Sequence, residues 1–288
     1  MAYCYRHPKR ETGLSCSVCE RPICTECMTM APVGIRCPEH SGKPQGAAKL
    51  TQGVRRVSFE GSGALVTKAI IALNVGVFLV NLAQGASLGR NAGELYRDGG
   101  LTALGTFDGI TLIGVAEGEW WRMLTAAFLH GNLIHLGMNM LLLWWIGAPV
   151  EQALGRGRFL ALYLASALAG SAGALIASPN AFTVGASGAI FGILGAALVF
   201  ERQGLHVLGG SALSIIVLNL VLTFAVPNIS IGGHLGGLAG GALCGLALSR
   251  FGRGHAFYGR PGLLGVVGVV AVGIASIVVA YWKVRGYT

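Results

Sequence analysis

The chain has 288 residues, 53% of them hydrophobic and only 11% charged, with 46 glycines and a mean hydropathy of +0.64. That balance excludes a soluble globular domain of this length and places the bulk of the chain in lipid. The formal charge of +9 is modest and scattered, which suits loops on a cytoplasmic membrane face better than a nucleic-acid groove, and no nucleic-acid partner is expected.

The first residues, "MAYCYRHPKRETG", hold no apolar run of the kind a secretory signal requires. They are expected to stay in the cytosol, where thiols bind metal rather than each other. Six of the seven cysteines fall in the first 37 residues, and the seventh, Cys244, lies inside an apolar run. The early ones fall in pairs, with a histidine or with each other, at a fixed gap: Cys4/His7, Cys16/Cys19, Cys24/Cys27 and Cys37/His40. A two-residue gap lets a tight turn aim both side chains at one ion, and zinc takes four such ligands in a tetrahedron. Four pairs therefore supply two closed sites. A segment of about 40 residues buries too little apolar surface to fold unaided, so metal binding is expected to stabilise it. The alternatives are a disulfide cluster or cysteines that merely fill space, and the histidines at knuckle spacing count against both. Spacing alone leaves open whether consecutive or alternating pairs share an ion. The order of the pairs resembles a B-box-type zinc finger. That resemblance implies that pairs one and three share one zinc ion, and pairs two and four the other. Closed sites leave no open position for catalysis, so residues 1–41 read as a structural module that docks a cytosolic protein partner.

Residues 42–63 are polar, glycine-rich and basic, with no apolar period. They read as a tether whose Arg55 and Arg56 lie on anionic headgroups, or as an ordinary solvated linker.

Seven apolar segments follow, near Leu65–Ala83, Leu124–Gly147, Phe159–Ala177, Val184–Phe200, Ala212–Val226, Gly232–Leu248 and Leu263–Trp282. Several are long enough to cross hydrocarbon as helices, which needs about 20 residues; the fifth is short and the sixth crowded with glycine. The expected fold is an all-α membrane protein, a bundle of seven transmembrane helices behind the small zinc-binding domain. Residues 64–250 form its six-helix core, and 251–288 a cytoplasmic loop and the seventh helix. If the spans alternate, the N-terminal region, "GRGRF", "ERQ" and "SRFGRGHAFYGR" share one side, while the loops near Ser178–Thr183 and Pro227–Ile231 carry no charge. Positive residues mark the cytoplasmic face, so the N-terminus is expected inside and the C-terminus outside, in the plasma membrane if the cell is bacterial. Lys283 and Arg285 disagree mildly with that orientation.

With that orientation the second, fourth and sixth spans all run inward. His135 and Asn139 lie in the outer half of span two, Ser187 near the outer end of span four, and His234 just below the same face in span six. Polar groups in lipid are costly and mark function, and coincidence in depth strengthens the inference. His135 and Asn139 are four apart, on one helix face. Gly185, Gly188, Gly192 and Gly195 strip bulk from span four, and Gly232, Gly233, Gly236, Gly237, Gly240 and Gly241 from span six. Small residues let helix backbones approach closely, which brings Ser187 within reach of His234. The plainer alternatives are packing for the serine and glycines, and interhelical bonding for Asn139, as for Asn74, Asn81 and Asn219.

Gly-Ala-Ser-Gly at 185–188, Gly-Gly-His-Leu-Gly-Gly at 232–237, His-x3-Asn at 135–139 and Trp121-Arg122 together resemble the rhomboid intramembrane serine proteases, over about Leu65 to Leu248. The seventh span is similar to that family's six-plus-one form. The resemblance implies Ser187 as nucleophile and His234 as general base, with no cofactor for catalysis. It implies Asn139, His135 and the backbone N–H of Ser187 as oxyanion donors, with Gly185 shaping that turn. His130 and Glu151 match supporting polar positions, Trp121-Arg122 the signature of an embedded first loop. Phe191 stands where bacterial relatives often have tyrosine under the histidine ring. Without a carboxylate, packing against Phe191 and the glycine walls is expected to hold the imidazole. The substrates implied are transmembrane segments of other proteins, and the short fifth span is a candidate gate for them.

Three other readings compete. A non-cleaving rhomboid-like protein that binds transmembrane clients would be favoured by a missing serine or histidine, and both are present. A transporter would show an inverted repeat and more ionisable groups along its path. A zinc metalloprotease would need H-E-x-x-H, and the glutamate is missing between His130 and His135.

Overall fold

The structure is a computed structural model that describes residues 2–30, 34–40, 63–89, 93–250 and 263–287. The expected linker with Arg55 and Arg56, and the expected loop at 251–262, lie outside the described residues. The chain divides into two compact units, Met1–Gly61 and Ser62–Thr288.

In the first unit, β1 (Ala2–Cys4) pairs antiparallel with β2 (His7–Thr12), and β3 (Thr29–Met30) with β4 (Ile35–Arg36). Its buried centre consists of Ile23 and five cysteine side chains, Cys4, Cys16, Cys24, Cys27 and Cys37. One large aliphatic side chain is far too little apolar surface to offset the entropy of ordering such a segment.

The second unit is helical. Its long helices are α1 (Leu65–Ala83), α4 (Leu133–Leu154), α5 (Arg156–Ala177), α6 (Ser187–Arg202), α7 (Ala212–Ala225), α8 (Ile231–Arg250) and α9 (Leu263–Val284). Two short helices, α2 (Glu94–Gly99) and α3 (Arg122–Thr125), lie between α1 and α4. Among the described residues five long helices, α1, α4, α5, α8 and α9, are long and apolar enough to cross a membrane. The helices α6 and α7 are shorter, with 16 and 14 residues.

The second long helix starts later than its hydropathy suggests. The apolar run from Leu124 is interrupted: α3 is one turn, Ala126–Phe128 tighten into a 3-10 turn, and Leu129 is extended. The chain restarts at Asn132, whose side chain accepts the His135 N–H at 2.8 Å and caps α4.

Two carboxylates fasten helix starts. Glu151, near the C-terminal end of α4, accepts from Val66 N (2.9 Å), Thr67 N (2.7 Å) and Thr67 Oγ1 (2.7 Å) at the start of α1. Glu201, near the end of α6, accepts from Leu208 N, Gly210 N and Ala212 N where α7 begins. Each satisfies amides the helix itself cannot, and a negative charge suits the positive end of the helix dipole.

The centre of the unit is a seam of α5, α6 and α8 with almost no side chains in it. A methyl group added at Gly170 would stand 3.1 Å from both Gly188 Cα and Gly233 O. One at Gly237 would strike the carbonyl of Gly188, and one at Gly241 the backbone of Gly192. Glycine on facing helices permits this approach, which in lipid makes packing itself the adhesive. The sequence points to α6 and α8 here; Gly170 and Gly173 bring α5 into the same contact.

The connection from α1 to α4 is held by Arg122, which is 1% exposed. Its Nε donates to Glu119 Oε2 at 2.7 Å, and its Nη1 to the carbonyls of Arg97 and Gly100, both at 2.8 Å. Neighbouring Trp121 donates its indole N–H to Asp98 O. A buried guanidinium with this many acceptors fixes three stretches of loop at once. Leu101 then pairs with Thr183, each donating to the other's carbonyl, so the loop steadies the chain just before α6.

Candidate active site and metal-ligating clusters

Ser187 is the first residue of α6. The turn before it requires Gly185, whose φ of +126° is a conformation that side chains resist. Gly185 N donates to Ala126 O at 2.9 Å, which anchors the turn to the first loop. His234 lies one turn into α8, whose start is capped by Ser230 Oγ accepting from Gly233 N. Across the glycine seam, His234 Nε2 is 2.8 Å from Ser187 Oγ.

The imidazole is held on two further sides. Phe191 stacks on it with centroids 4.2 Å apart and planes 19° from parallel. Thr223 Oγ1, from α7, is 2.7 Å from His234 Nδ1. Sequence reasoning missed this threonine. It lies near the C-terminal end of α7, at the face where α8 starts, so depth could have singled it out; one hydroxyl beside Ser214 and Asn219 on a mostly apolar helix gave no other signal.

His135 and Asn139 project from α4 toward the same place. A Cβ on Gly185 would meet His135 Nε2 at 2.7 Å and Ser187 Oγ at 3.7 Å, so the three residues converge. His135 Nδ1 accepts from Gly131 N over a long 3.4 Å. An accepting Nδ1 leaves the neutral ring's proton on Nε2, the atom that faces Gly185. Asn139 donates one amide hydrogen to His135 O at 2.8 Å, and its second hydrogen is not required by that bond. His130 is buried and stands edge-on to His135, centroids 5.0 Å apart.

Glu151 is not brought to this layer. It sits twelve positions beyond Asn139 on α4, about 18 Å along the helix axis, and serves α1 as described above. Asn219 and Asn74 donate into their own helices, to Ile215 O and Ile70 O. Asn81 links elements: besides bonding Val77 O, it accepts from Tyr96 N of α2.

In the N-terminal unit the eight cysteines and histidines gather as Cys4, His7, Cys24 and Cys27, and as Cys16, Cys19, Cys37 and His40, with ligand atoms within 4.8 Å of one another in each set. Alternating pairs share a cluster. His7 Nδ1 is 3.4 Å from Cys24 Sγ and 3.3 Å from Cys27 Sγ; Cys37 Sγ is 3.2 Å from His40 Nδ1 and 3.8 Å from Cys19 Sγ. A zinc tetrahedron with Zn–S about 2.3 Å and Zn–N about 2.0 Å has edges of roughly 3.5–3.8 Å, and these separations lie within about 0.3 Å of that range, close enough for each set to close on an ion. The sulfurs are free thiols, too far apart to be disulfides. Protons divide unevenly among them. Burial raises the Cys4 thiol, but the N–H groups of Cys24, Arg6 and His7 outweigh it and bring it down to about 6. Burial and the neighbouring Cys4 and Cys24 sulfurs push Cys27 up to about 11. Such a set can hold a divalent metal ion.

A family profile described as "Rhomboid domain" matches residues 117–251. The Rhomboid protease GluP of Bacillus subtilis (strain 168) is 46% identical over 138 residues, which cover 46% of this chain and 27% of that protein. The Putative rhomboid protease YdcA of the same organism is 35% identical over 136 residues, 46% of this chain and 68% of that one. RHOMBOID-like protein 5 of Arabidopsis thaliana is 38% identical over 144 residues, 46% of each. The chain thus spans about two thirds of YdcA and about a quarter of GluP. The matched stretch holds Ser187, His234, His135 and Asn139, and the chain belongs to the rhomboid family of integral membrane proteins.

Proposed function

We propose that the chain is an intramembrane serine protease that cuts transmembrane segments of other membrane proteins, with Ser187 as nucleophile and His234 as general base. The observation that carries this reading is the 2.8 Å contact between Ser187 Oγ and His234 Nε2, made by residues 47 apart in sequence on two different helices. Kinship with a protein named as a rhomboid protease, 46% identical where the two align, supports it.

The chemistry follows from the atoms in place. His234 takes the Ser187 proton as Oγ attacks a peptide carbonyl, then returns it to the leaving amine. The oxyanion faces the Nε2–H of His135, the second amide hydrogen of Asn139 and the backbone N–H of Ser187. Losing one such donor costs roughly 100- to 1,000-fold in rate. Water then cleaves the acyl-enzyme, with His234 again as base, and the half-buried Ser187 and His135 leave it a way in. A helical substrate hides its carbonyls in hydrogen bonds, so a helix-weak residue near the cut helps expose one. We place this layer toward the outer face, with the N-terminus cytoplasmic and the C-terminus outside, on the distribution of arginine. The N-terminal clusters hold two structural zinc ions and dock a cytosolic partner.

The test is reconstitution of the full chain in liposomes with a panel of transmembrane substrates, comparing wild type with Ser187→Ala and His234→Ala. Cleavage by wild type alone is expected. Equal cleavage by all three overturns the reading, and absence of both cleavage and fluorophosphonate labelling of the wild type favours a non-cleaving client-binding protein.

A further inference from the structure

We propose that Thr223 is the positioning residue that sets the tautomer of His234, in the place where soluble serine hydrolases use a carboxylate. The proposal rests on the reading of Ser187 and His234 as nucleophile and base.

Thr223 Oγ1 lies 2.7 Å from two atoms, the Asn219 carbonyl oxygen one turn earlier in α7 and His234 Nδ1. A hydroxyl has one proton to give and lone pairs to receive with, whereas a carbonyl only accepts. The hydroxyl proton therefore goes to Asn219 O, the back-bond threonine habitually makes inside a helix. Any other assignment would press oxygen lone pairs together at 2.7 Å. Oγ1 is then left as an acceptor, and the hydrogen it receives must be the one on Nδ1. A neutral imidazole carries a single proton, so Nε2 is bare and accepts from Ser187 Oγ–H.

Every bond in the row now has a direction: Ser187 Oγ–H to Nε2, Nδ1–H to Thr223 Oγ1, Oγ1–H to Asn219 O. This is the arrangement a general base needs, since the opposite tautomer would point N–H at the serine and could not take its proton. When the serine proton arrives at Nε2, the Nδ1 proton stays where it is; nothing passes to the threonine. Phe191 cannot make this choice, because a ring face does not distinguish which nitrogen is protonated. Asn219's own amide is occupied with Ile215 O and does not compete for Thr223. Thr223 is 2% exposed, so water does not replace it. The α7 helix contributes an oriented acceptor to the site, not only a wall.

The experiment uses the full chain in liposomes with a cleavable transmembrane substrate. Thr223→Val keeps the shape and removes the hydroxyl; Thr223→Ser keeps the hydroxyl. We expect Thr223→Val to lower kcat about tenfold, the scale of one neutral hydrogen bond, with KM unchanged, and Thr223→Ser to retain most of the wild-type rate. Nitrogen-15 NMR of the His234 ring, assigned by loss of its signals in His234→Asn, provides a readout independent of turnover. The expected wild-type ring is protonated on Nδ1 and bare on Nε2, and Thr223→Val mixes the two tautomers. A wild-type ring protonated on Nε2 overturns the proposal. So does a Thr223→Val variant with unaltered kcat and tautomer. If Thr223→Val does not fold, the wild-type tautomer and the Thr223→Ser rate still decide the matter. Cleavage by Ser187→Ala at the wild-type rate would instead refute the protease reading, and the NMR result would stand apart from it.

Discussion

Phe191 lies beneath His234 as a near-parallel plate, 4.2 Å between ring centres. It sits four residues after Ser187 on α6, so one helix face carries both the serine and the surface on which its partner rests. Removing that surface while keeping the hydrogen bonds should loosen the imidazole. An aromatic pair of this kind contributes about 0.5–1.5 kcal/mol, so Phe191→Ala should cost about 2- to 13-fold in kcat, with Phe191→Tyr near wild type. Initial cleavage rates under saturating substrate are the measure, and a Phe191→Ala enzyme at full speed would deny the stack any part in turnover.

Gly185 allows less variation. Its φ of +126° strains any side chain, and a Cβ would stand 2.7 Å from His135 Nε2. Strain of this kind costs about 1–3 kcal/mol, and relieving it moves His135 or the turn that carries Ser187. Gly185→Ala should reach the membrane folded, by circular dichroism, yet lose most of its cleavage and fluorophosphonate labelling.

Glu151 should matter for stability rather than chemistry. It holds two amides and a hydroxyl at the start of α1 and is 1% exposed. Hydrogen bonds to a charged group contribute about 1.5–3 kcal/mol each, so Glu151→Ala should lower the thermal midpoint in detergent clearly, and Glu151→Gln less. Residual folded protein should cleave normally, and a selective loss of kcat in Glu151→Gln would place the residue in the site after all.

The N-terminal clusters predict a zinc content near two per chain by elemental analysis. Cys24→Ser should reduce it to about one, because the other cluster shares no ligand with the first. The pH dependence has a definite sign. The Cys4 thiol is lowered from 9.0 to about 6, so above that value it is a thiolate that metal binds without displacing a proton. Below it protons compete for Cys4 as well as for Cys27, which burial and its sulfur neighbours push up to about 11, so zinc affinity should weaken as the medium becomes more acidic. Retention at pH 7 and release on acidification are the expected titration; loss of metal as pH rises from 7 to 8 would contradict it.

Much of this was legible in the sequence because the signals were spacings. Two-residue gaps fixed the knuckles, and alternating pairs do share clusters, a pairing that spacing alone left open. Ser187 and His234 stood out as polar groups at one depth, and glycine runs named two of the three helices at the seam. Other features resisted for physical reasons. The α4 start at Leu133 was masked because residues 124–128 are as apolar as a span, while one capping side chain, Asn132, decides where the helix begins. Glu151 matches a supporting polar position only by resemblance, and nothing in its own stretch of sequence names its partners, amides 84 and 85 positions away. Thr223 carried a tertiary contact that no period encodes.

Where Gly188 and Gly192 of α6 meet Gly237 and Gly241 of α8, main chain rests on main chain, with no side chain at those points to trim or rotate. Mutation at that seam can only wedge the helices apart; no substitution can draw them closer. The spacing of hydroxyl and imidazole is thus close to a constant of the scaffold, insulated from sequence drift. Adaptation to new targets would have to enter through α7 and the first loop, where side chains still form the touching surfaces.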